Sequence, residues 1–154
     1  MLLRPADELL ERAAAILADE RARLAPLLPP HELALTGGSS VPGALTKGDV
    51  DLHLRVDPAH FATTVAAARR VYRVVLPDIW TGTLATFEVP GAALPTGVAV
   101  TPVGSEHDVR FRVCWRLLST RADLLAEYNA MKRAAGADYE VRKSAFFDRL
   151  VAMS

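Results

Sequence analysis

Two aspartates, Asp49 and Asp51, stand two residues apart in a stretch that alternates polar and apolar side chains. In a β-strand, residues i and i+2 point to the same face, so the two carboxylates would lie side by side. Adjacent carboxylates repel each other unless a cation neutralises them, and Mg²⁺ is typically held by one or two carboxylates plus substrate phosphates. The same alternation is typical of an ordinary half-buried strand. The pair is therefore a candidate metal site that needs a second signal.

That second signal is a Gly-Gly-Ser-Ser turn at positions 37–40, upstream of the aspartates. Glycine permits positive φ and a close approach of the backbone, so N–H groups and hydroxyls in such a turn can contact an anion. Gly38, Ser39 and Ser40 are accordingly predicted to cradle phosphates opposite the strand that holds the metal.

The combination resembles known proteins at two levels. Gly-Ser followed by Asp-x-Asp on a strand resembles the signature of the nucleotidyltransferase superfamily, which has the polymerase-β-like fold. The segment GSSVPGALTKGDVD also resembles the GST-x-VPGL-x-x-K-x-x-x-D segment of the GrpB family. Three later segments are similar to motifs of that family: Phe111-Arg112 with Arg116, Glu127-Tyr128 with Lys132, and Tyr139 with Lys143 and Phe146.

The resemblance implies an α+β fold, with a nucleotidyltransferase-like mixed β-sheet flanked by helices and followed by a C-terminal helical segment. It also implies a Mg²⁺ ion on Asp49 and Asp51, with a nucleoside triphosphate as substrate. Many active nucleotidyltransferases add a third carboxylate from a later strand to help deprotonate the attacking hydroxyl. Glu88 is the only acidic residue in the later predicted strands and is assigned that role. Where the GrpB family usually has His-x-His on its last strand, this chain has Gly97-Val98-Ala99.

Lysine usage gives an independent reason to single out three cations. The chain has 18 basic residues, of which only Lys47, Lys132 and Lys143 are lysine. Lysine offers a compact point charge that the planar guanidinium cannot always replace beside a phosphate. We expect these lysines to bind phosphate, although so small a number also allows chance.

The resemblance assigns phosphate binding to Arg112 and Arg116 as well. Solvated helix faces are the alternative for all of these cations except Lys47.

The elements that must position these residues can be placed by periodicity. A single domain over 1–154 is predicted, with an N-terminal helix within 1–30, a sheet core at 31–104 and C-terminal helices at 109–154. His53 shares the strand face of the aspartates and is expected to be incidental on a solvated surface. Ser119-Thr120 followed by Asp123 predicts a capping box for a helix starting near residue 122.

Composition narrows the class of function. The net charge is zero, with 18 basic and 18 acidic residues, which argues against bulk nucleic-acid binding. Cys114 is the single cysteine, and it is predicted to pack in the core. No signal peptide or long apolar run is evident, so a cytoplasmic protein without a membrane partner is expected.

Three functions remain open from sequence. The first is a Mg²⁺-dependent nucleotidyltransferase that binds a small-molecule nucleotide or phosphorylated ligand. The second is a non-catalytic binding or accessory domain, with a coenzyme-A-linked role worth naming because GrpB-like domains also occur fused to dephospho-CoA kinase. The third is a purely structural partner-binding domain, which would show a large exposed apolar patch.

Overall fold

The structure, a computed structural model that describes residues 2–154, contains a five-stranded mixed sheet. One of its strands carries Asp51, while Asp49, also expected on that strand, lies one residue before it. Across the sheet the strands are β2 (His31–Thr36), β4 (Val50–Val56), β7 (Thr96–Pro102), β6 (Ala85–Glu88) and β5 (Arg73–Val74). Strands β4 and β7 are parallel, and the other neighbours are antiparallel. A small second sheet pairs β1 (Arg4–Pro5) with β3 (Leu45–Thr46).

Helices flank the sheet and complete the chain. They are α1 (Leu10–Leu24), α2 (Phe61–Val71), α3 (Glu106–Thr120), α4 (Ala122–Arg133) and α5 (Tyr139–Ala152). The mixed sheet with its flanking helices confirms the predicted α+β class. Within residues 2–154, every helix is too short or too polar to cross a membrane.

One hydrophobic core lies between the sheet and the first two helices. The apolar residues of β4 alternate with Asp51, His53 and Arg55 and are fully buried. They pack with Ala13, Ile16 and Leu24 of α1 and with Ala68 of α2. Burial of these side chains supplies the main driving force for folding of this half. It also fixes the opposite face of β4, and with it the aspartates, toward the C-terminal helices.

A second core joins α3, α4 and α5 to the loop that follows the glycine-serine turn. Its buried members are Ala6, Val41, Ala44, Cys114, Leu118, Leu124, Tyr128, Phe146, Phe147 and Leu150. Cys114 is buried there, as predicted. Since this core includes Val41 and Ala44, the packing of the C-terminal helices also holds the turn in place.

An ion-pair network joins α3 to β4 on the face opposite the first core. The Arg55 guanidinium donates to both carboxylate oxygens of Asp108, at 2.6 and 3.1 Å, and Gly104 N donates to the same carboxylate at 2.8 Å. His53 lies beside this pair, only 4% exposed, with Nε2 2.7 Å from Thr101 Oγ1 and its ring edge-on to Phe111. The expected solvated position of His53 is therefore wrong, because α3 covers this face of the strand.

The predicted capping box at the start of α4 is also wrong. The Ser119 hydroxyl donates to Trp115 O at 2.7 Å and the Thr120 hydroxyl donates to Arg116 O at 3.0 Å, both one turn back in α3. These residues are helical, so their side chains cannot occupy the N-cap geometry. Arg121 takes the N-cap position of α4 and pairs with Asp123 through its side chain.

Candidate functional site

The Asp51 carboxylate lies between two glycines on the neighbouring strand ends. A Cβ built on Gly37 would lie 2.3 Å from Asp51 Oδ2, and one built on Gly97 would lie 3.4 Å from Oδ1. Gly37 also has φ +74°, a conformation that favours glycine. Thr36, Asp51 and Gly97 are direct partners across β2, β4 and β7. The two glycines therefore make the space in which the carboxylate sits.

The glycine-serine turn is fastened to the start of β4 by its own hydroxyls. Ser39 is buried, its hydroxyl donates to the carbonyl oxygen of Asp49, and it lies 2.9 Å from Thr46 Oγ1. The Ser40 hydroxyl donates to Gly37 O at 2.6 Å. Both hydroxyls thus hold the turn and Asp49 together, and their predicted contact with a phosphate stays a prediction.

The three lysines come together around the aspartates. Lys47 Nζ lies 3.7 Å from Asp49 Oδ2. Lys132 of α4 and Lys143 of α5 are close enough to influence the titration of Asp51, together with Lys47. The chain therefore gathers all of its lysines, drawn from a loop and two helices, at one carboxylate pair.

At this cluster, burial and repulsion between like charges shift the pKa values of Asp51 and Lys132 against the attraction between aspartates and lysines. Burial and then repulsion from Asp49 raise the pKa of Asp51 from its ordinary 3.8 to about 6, although the three lysines each lower it. Burial and then repulsion from Lys143 lower the pKa of Lys132, while the two aspartates raise it. The surroundings therefore disfavour the charged form of each group, and a bound ligand of the opposite charge would stabilise it.

Two tyrosines complete the cluster and were not among the predicted site residues. Lys132 Nζ lies 5.7 Å from the ring centroid of Tyr128 and 5.8 Å from that of Tyr139, and Lys143 Nζ lies 5.9 Å from Tyr139. The Tyr128 hydroxyl reaches the turn, 3.1 Å from the position of a Cβ on Gly38. A sequence signal existed, because tyrosine precedes lysine by four positions in both helices and such pairs share a helix face.

Glu88 on β6 is in register with Asp51 on β4, and β7 lies between the two strands. Its partner across the ladder is Gly97, which lies between the two acids. The Glu88 carboxylate is paired with Arg73 of the edge strand β5. Among residues 2–154, no group of three or more His, Cys, Asp or Glu side chains is arranged to hold a metal ion. Glu88 is thus not brought to the aspartate pair.

A cavity of about 380 Å³ opens beside the pair, between the sheet and helices α3 and α5. Its polar lining includes Thr36, Asp51, Thr86, Arg110 and Lys143. The rest of the wall is largely apolar and includes Leu76, Phe87, Phe111, Trp115 and Phe147. A volume of this size is within the range of small-molecule sites, and the lining suits a ligand with an anionic end and an apolar or aromatic body.

Arg112 and Arg116 are not part of this cavity. They line a separate groove of about 390 Å³ between α3 and the edge strand β2. The structure therefore divides the predicted phosphate-binding cations into a lysine cluster beside the aspartates and an arginine pair on the other side of α3.

The donor set at the aspartate pair fits Mg²⁺ in the form in which it accompanies phosphates. Asp49 and Asp51 are hard oxygen donors, and the half-buried Asp51 carboxylate lies beside a second carboxylate whose repulsion, together with burial, raises its pKa. Mg²⁺ demands octahedral geometry and commonly takes only one or two carboxylates, with water and substrate phosphates as the other ligands.

This sheet and its helices define a nucleotidyltransferase-like fold. Among solved structures the chain is similar to GrpB from Enterococcus faecalis, with a TM-score of 0.71, 14% sequence identity, and coverage of 99% of this chain and 96% of that chain. The resemblance to GrpB predicted from sequence motifs is thereby confirmed at the level of the fold. No protein-family model and no curated protein matches the sequence significantly.

A poly(U) polymerase and an RNA terminal U-transferase have a similar fold over most of this chain. The Cid1 poly(U) polymerase bound to MgATP superposes with a TM-score of 0.56 and 17% identity over 84% of this chain and 42% of that chain. A cytoplasmic RNA terminal U-transferase gives a TM-score of 0.54 and 17% identity, covering 84% of this chain and 39% of that chain. This chain therefore spans less than half of either enzyme.

Proposed function

We propose that this protein binds a nucleotide, or a similar phosphorylated small molecule, together with Mg²⁺ at the aspartate pair. The observation that carries the proposal is the grouping of Asp49, Asp51 and all of the chain's lysines beside a ligand-sized cavity, which Asp51 and Lys143 line. A similar solved structure with bound MgATP supports it through the shared fold.

Each part of the site has a distinct role in this proposal. Asp49 and Asp51 would hold the Mg²⁺ ion, which supplies charge neutralisation to the phosphates when bound. Lys47, Lys132 and Lys143 neutralise the remaining phosphate charge, and Tyr139 stands between two of them. The aromatic wall formed by Phe111, Trp115 and Phe147 receives the body of the ligand.

Binding without turnover is the form that the geometry supports best. The position beside Asp51 on β7 is held by Gly97, and the Glu88 carboxylate is paired elsewhere. Without a third acid in reach, the site has no evident base for the attacking hydroxyl.

Nucleotidyl transfer is the second candidate, and one observation favours it. Glu88 faces the same side of the sheet as Asp51, and its pair with Arg73 is solvent-exposed on both sides, at 41% and 65%. Exposed ion pairs contribute little and can break readily, so Glu88 could be released toward a bound substrate. In such a transfer an acceptor hydroxyl would form a bond to the α-phosphorus of ATP as pyrophosphate leaves, so Glu88→Gln should abolish acceptor-dependent release of pyrophosphate.

Isothermal titration of the protein with ATP, in Mg²⁺ and in EDTA, tests the proposal. We expect Mg²⁺-dependent binding that Asp49→Asn/Asp51→Asn abolishes and that Lys132→Gln weakens about 10-fold, the cost of one charged hydrogen bond. Asp19→Asn on α1 and Arg133→Gln beside Lys132 are exposed controls and should bind as wild type. Unchanged Mg·ATP affinity in the double aspartate variant would refute the proposal.

A further inference from the structure

The groove between α3 and β2 has the features of a second binding site. It holds about 390 Å³ and lies on the other side of α3 from the first cavity. Its walls include Glu32, Thr36, Arg55, Phe111, Arg112 and Arg116. Arginine dominates its charge, in contrast to the lysine cluster.

Arg112 and Arg116 present their charges to this groove. They are exposed and lie one turn apart on α3, so their side chains occupy the same helix face. Among residues 2–154 neither forms an ion pair with a carboxylate. Two guanidinium groups on one face offer planar, bidentate donors that match phosphate or carboxylate oxygens.

The floor of the groove does not cancel this charge. Glu32 is the only carboxylate in the lining, and it is already paired with Arg55, which also binds Asp108. His53 is only 4% exposed, and its ring packs edge-on against Phe111. With Arg55, Glu32 and the buried Asp108 balanced within one network to about one negative charge, the two free arginines leave the groove net positive.

The groove and the first cavity meet at the end of β2. Thr36 lines both, and it is the direct strand partner of Asp51. Phe111 and Trp115 line both as well, so one helix surface separates the two spaces.

We propose that the groove binds a second small molecule, one that carries a phosphate group held by Arg112 and Arg116. Its volume suits a small molecule, and the zero net charge of the chain disfavours a polyanion such as RNA. Placement of this molecule beside a nucleotide rests on the proposed function, but binding of the anion itself does not.

A ¹H–¹⁵N NMR titration of the whole chain with pyrophosphate in EDTA separates the two sites. We expect two sets of shifting amides, one around Lys132 and Lys143 and one around residues 112–119, with two different dissociation constants. Arg112→Gln/Arg116→Gln should raise the dissociation constant reported by the amides around residues 112–119 at least 10-fold and leave the other within twofold. Lys132→Gln/Lys143→Gln should raise the dissociation constant reported by the amides around the lysines at least 10-fold and leave the one around residues 112–119 within twofold. Arg70→Gln/Arg133→Gln, which removes two exposed arginines elsewhere, should change neither set.

Several results would overturn this proposal. The first is one dissociation constant shared by both sets of amides and raised by both double variants. The second is an unchanged dissociation constant for the amides around residues 112–119 in Arg112→Gln/Arg116→Gln. The third is a short single-stranded RNA that binds more tightly than pyrophosphate and whose binding depends on the two arginines. If the wild-type protein does not bind Mg·ATP at the lysines but still binds pyrophosphate in the groove, the proposed function is refuted and the proposal for the groove is not. All of these side chains are exposed or half-buried, so the variants should fold.

Discussion

Asp51 shows how this protein accepts an unfavourable residue at its candidate site. Its carboxylate is half-buried beside a second carboxylate, and both effects disfavour ionisation. The glycines at 37 and 97 make room for it, and the lysines only partly compensate. Such a placement is costly for folding and is what a cation-binding carboxylate requires.

Asp51→Asn should therefore raise stability in EDTA at pH 7.5. A carboxyl whose pKa rises from 3.8 to about 6 on folding is destabilising once both states are ionised, by about 2–3 kcal/mol. This shift already includes the attraction of the three lysines. The amide leaves its own hydrogen-bonding groups partly buried, which offsets some of the gain, and we expect an increase of about 1–2 kcal/mol in the free energy of unfolding.

The pH dependence checks the cause. Between pH 6 and pH 3.8 the folded wild type takes up the proton first, so the difference between the two proteins should fade as pH falls through that window. Urea unfolding at pH 7.5 and pH 4 measures it. A variant that is less stable than wild type at pH 7.5 would contradict the assignment.

Gly37→Ala tests the space around the same carboxylate. The new Cβ would collide with Asp51 Oδ2 and would stand at φ +74°, so we expect a loss of about 2–4 kcal/mol and loss of Mg·ATP binding. Gly91→Ala is the matched control, since Gly91 has φ +71° and nothing within 4 Å of a built Cβ. It should cost only about 1–2 kcal/mol and leave binding intact. Equal losses in the two variants would show that conformation alone matters at Gly37.

At the scale of elements, α3 is the piece that separates two binding spaces. It is held to β4 by the Arg55–Asp108 pair and to α5 by packing in the second core. The Asp108 side chain is fully buried, and burial alone would raise its pKa, but hydrogen bonds from Arg55 and Gly104 outweigh this and lower it.

Asp108→Asn should destabilise the protein by about 2–4 kcal/mol, because the largely buried Arg55 would keep only the exposed Glu32 as a charged partner. Since the folded pKa of Asp108 is depressed, the wild-type contribution is present above pH 4 and is lost as pH falls below it. Acid should therefore destabilise wild type more than the variant. Asp148→Asn, which removes the exposed partner of Arg110, is the control and should change stability by less than about 1 kcal/mol. Similar effects of both variants would contradict the anchoring role.

At the scale of the whole molecule, the candidate site lies between two hydrophobic cores. The sheet with α1 and α2 positions the aspartates, and the C-terminal helices position Lys132, Lys143 and the tyrosines. The glycine-serine turn touches both, through Asp49 on one side and through Val41 and Tyr128 on the other. A ligand in the cavity would therefore contact both halves of the fold.

Local sequence patterns predicted part of this arrangement. The alternation around Asp49 and Asp51, the spacing of apolar residues in the helices and the scarcity of lysine all follow from residues near each other in sequence. They predicted the strand and the lysines of interest, while the α+β class was implied by the family resemblance. They failed where a distant element intervened, at His53 beneath α3 and at Ser119, whose hydroxyl bonds back within α3.

The sequence by itself determined which residues could bind a metal and phosphates, because strand and helix periods assign each side chain to a face. Only the tertiary structure decided which of those faces meet. The lysines of α4 and α5 reach Asp51 because nonlocal packing in the second core brings these helices over the turn. The same packing turns Arg112 and Arg116 to the other side of α3, and the sheet register places Gly97 between Asp51 and Glu88.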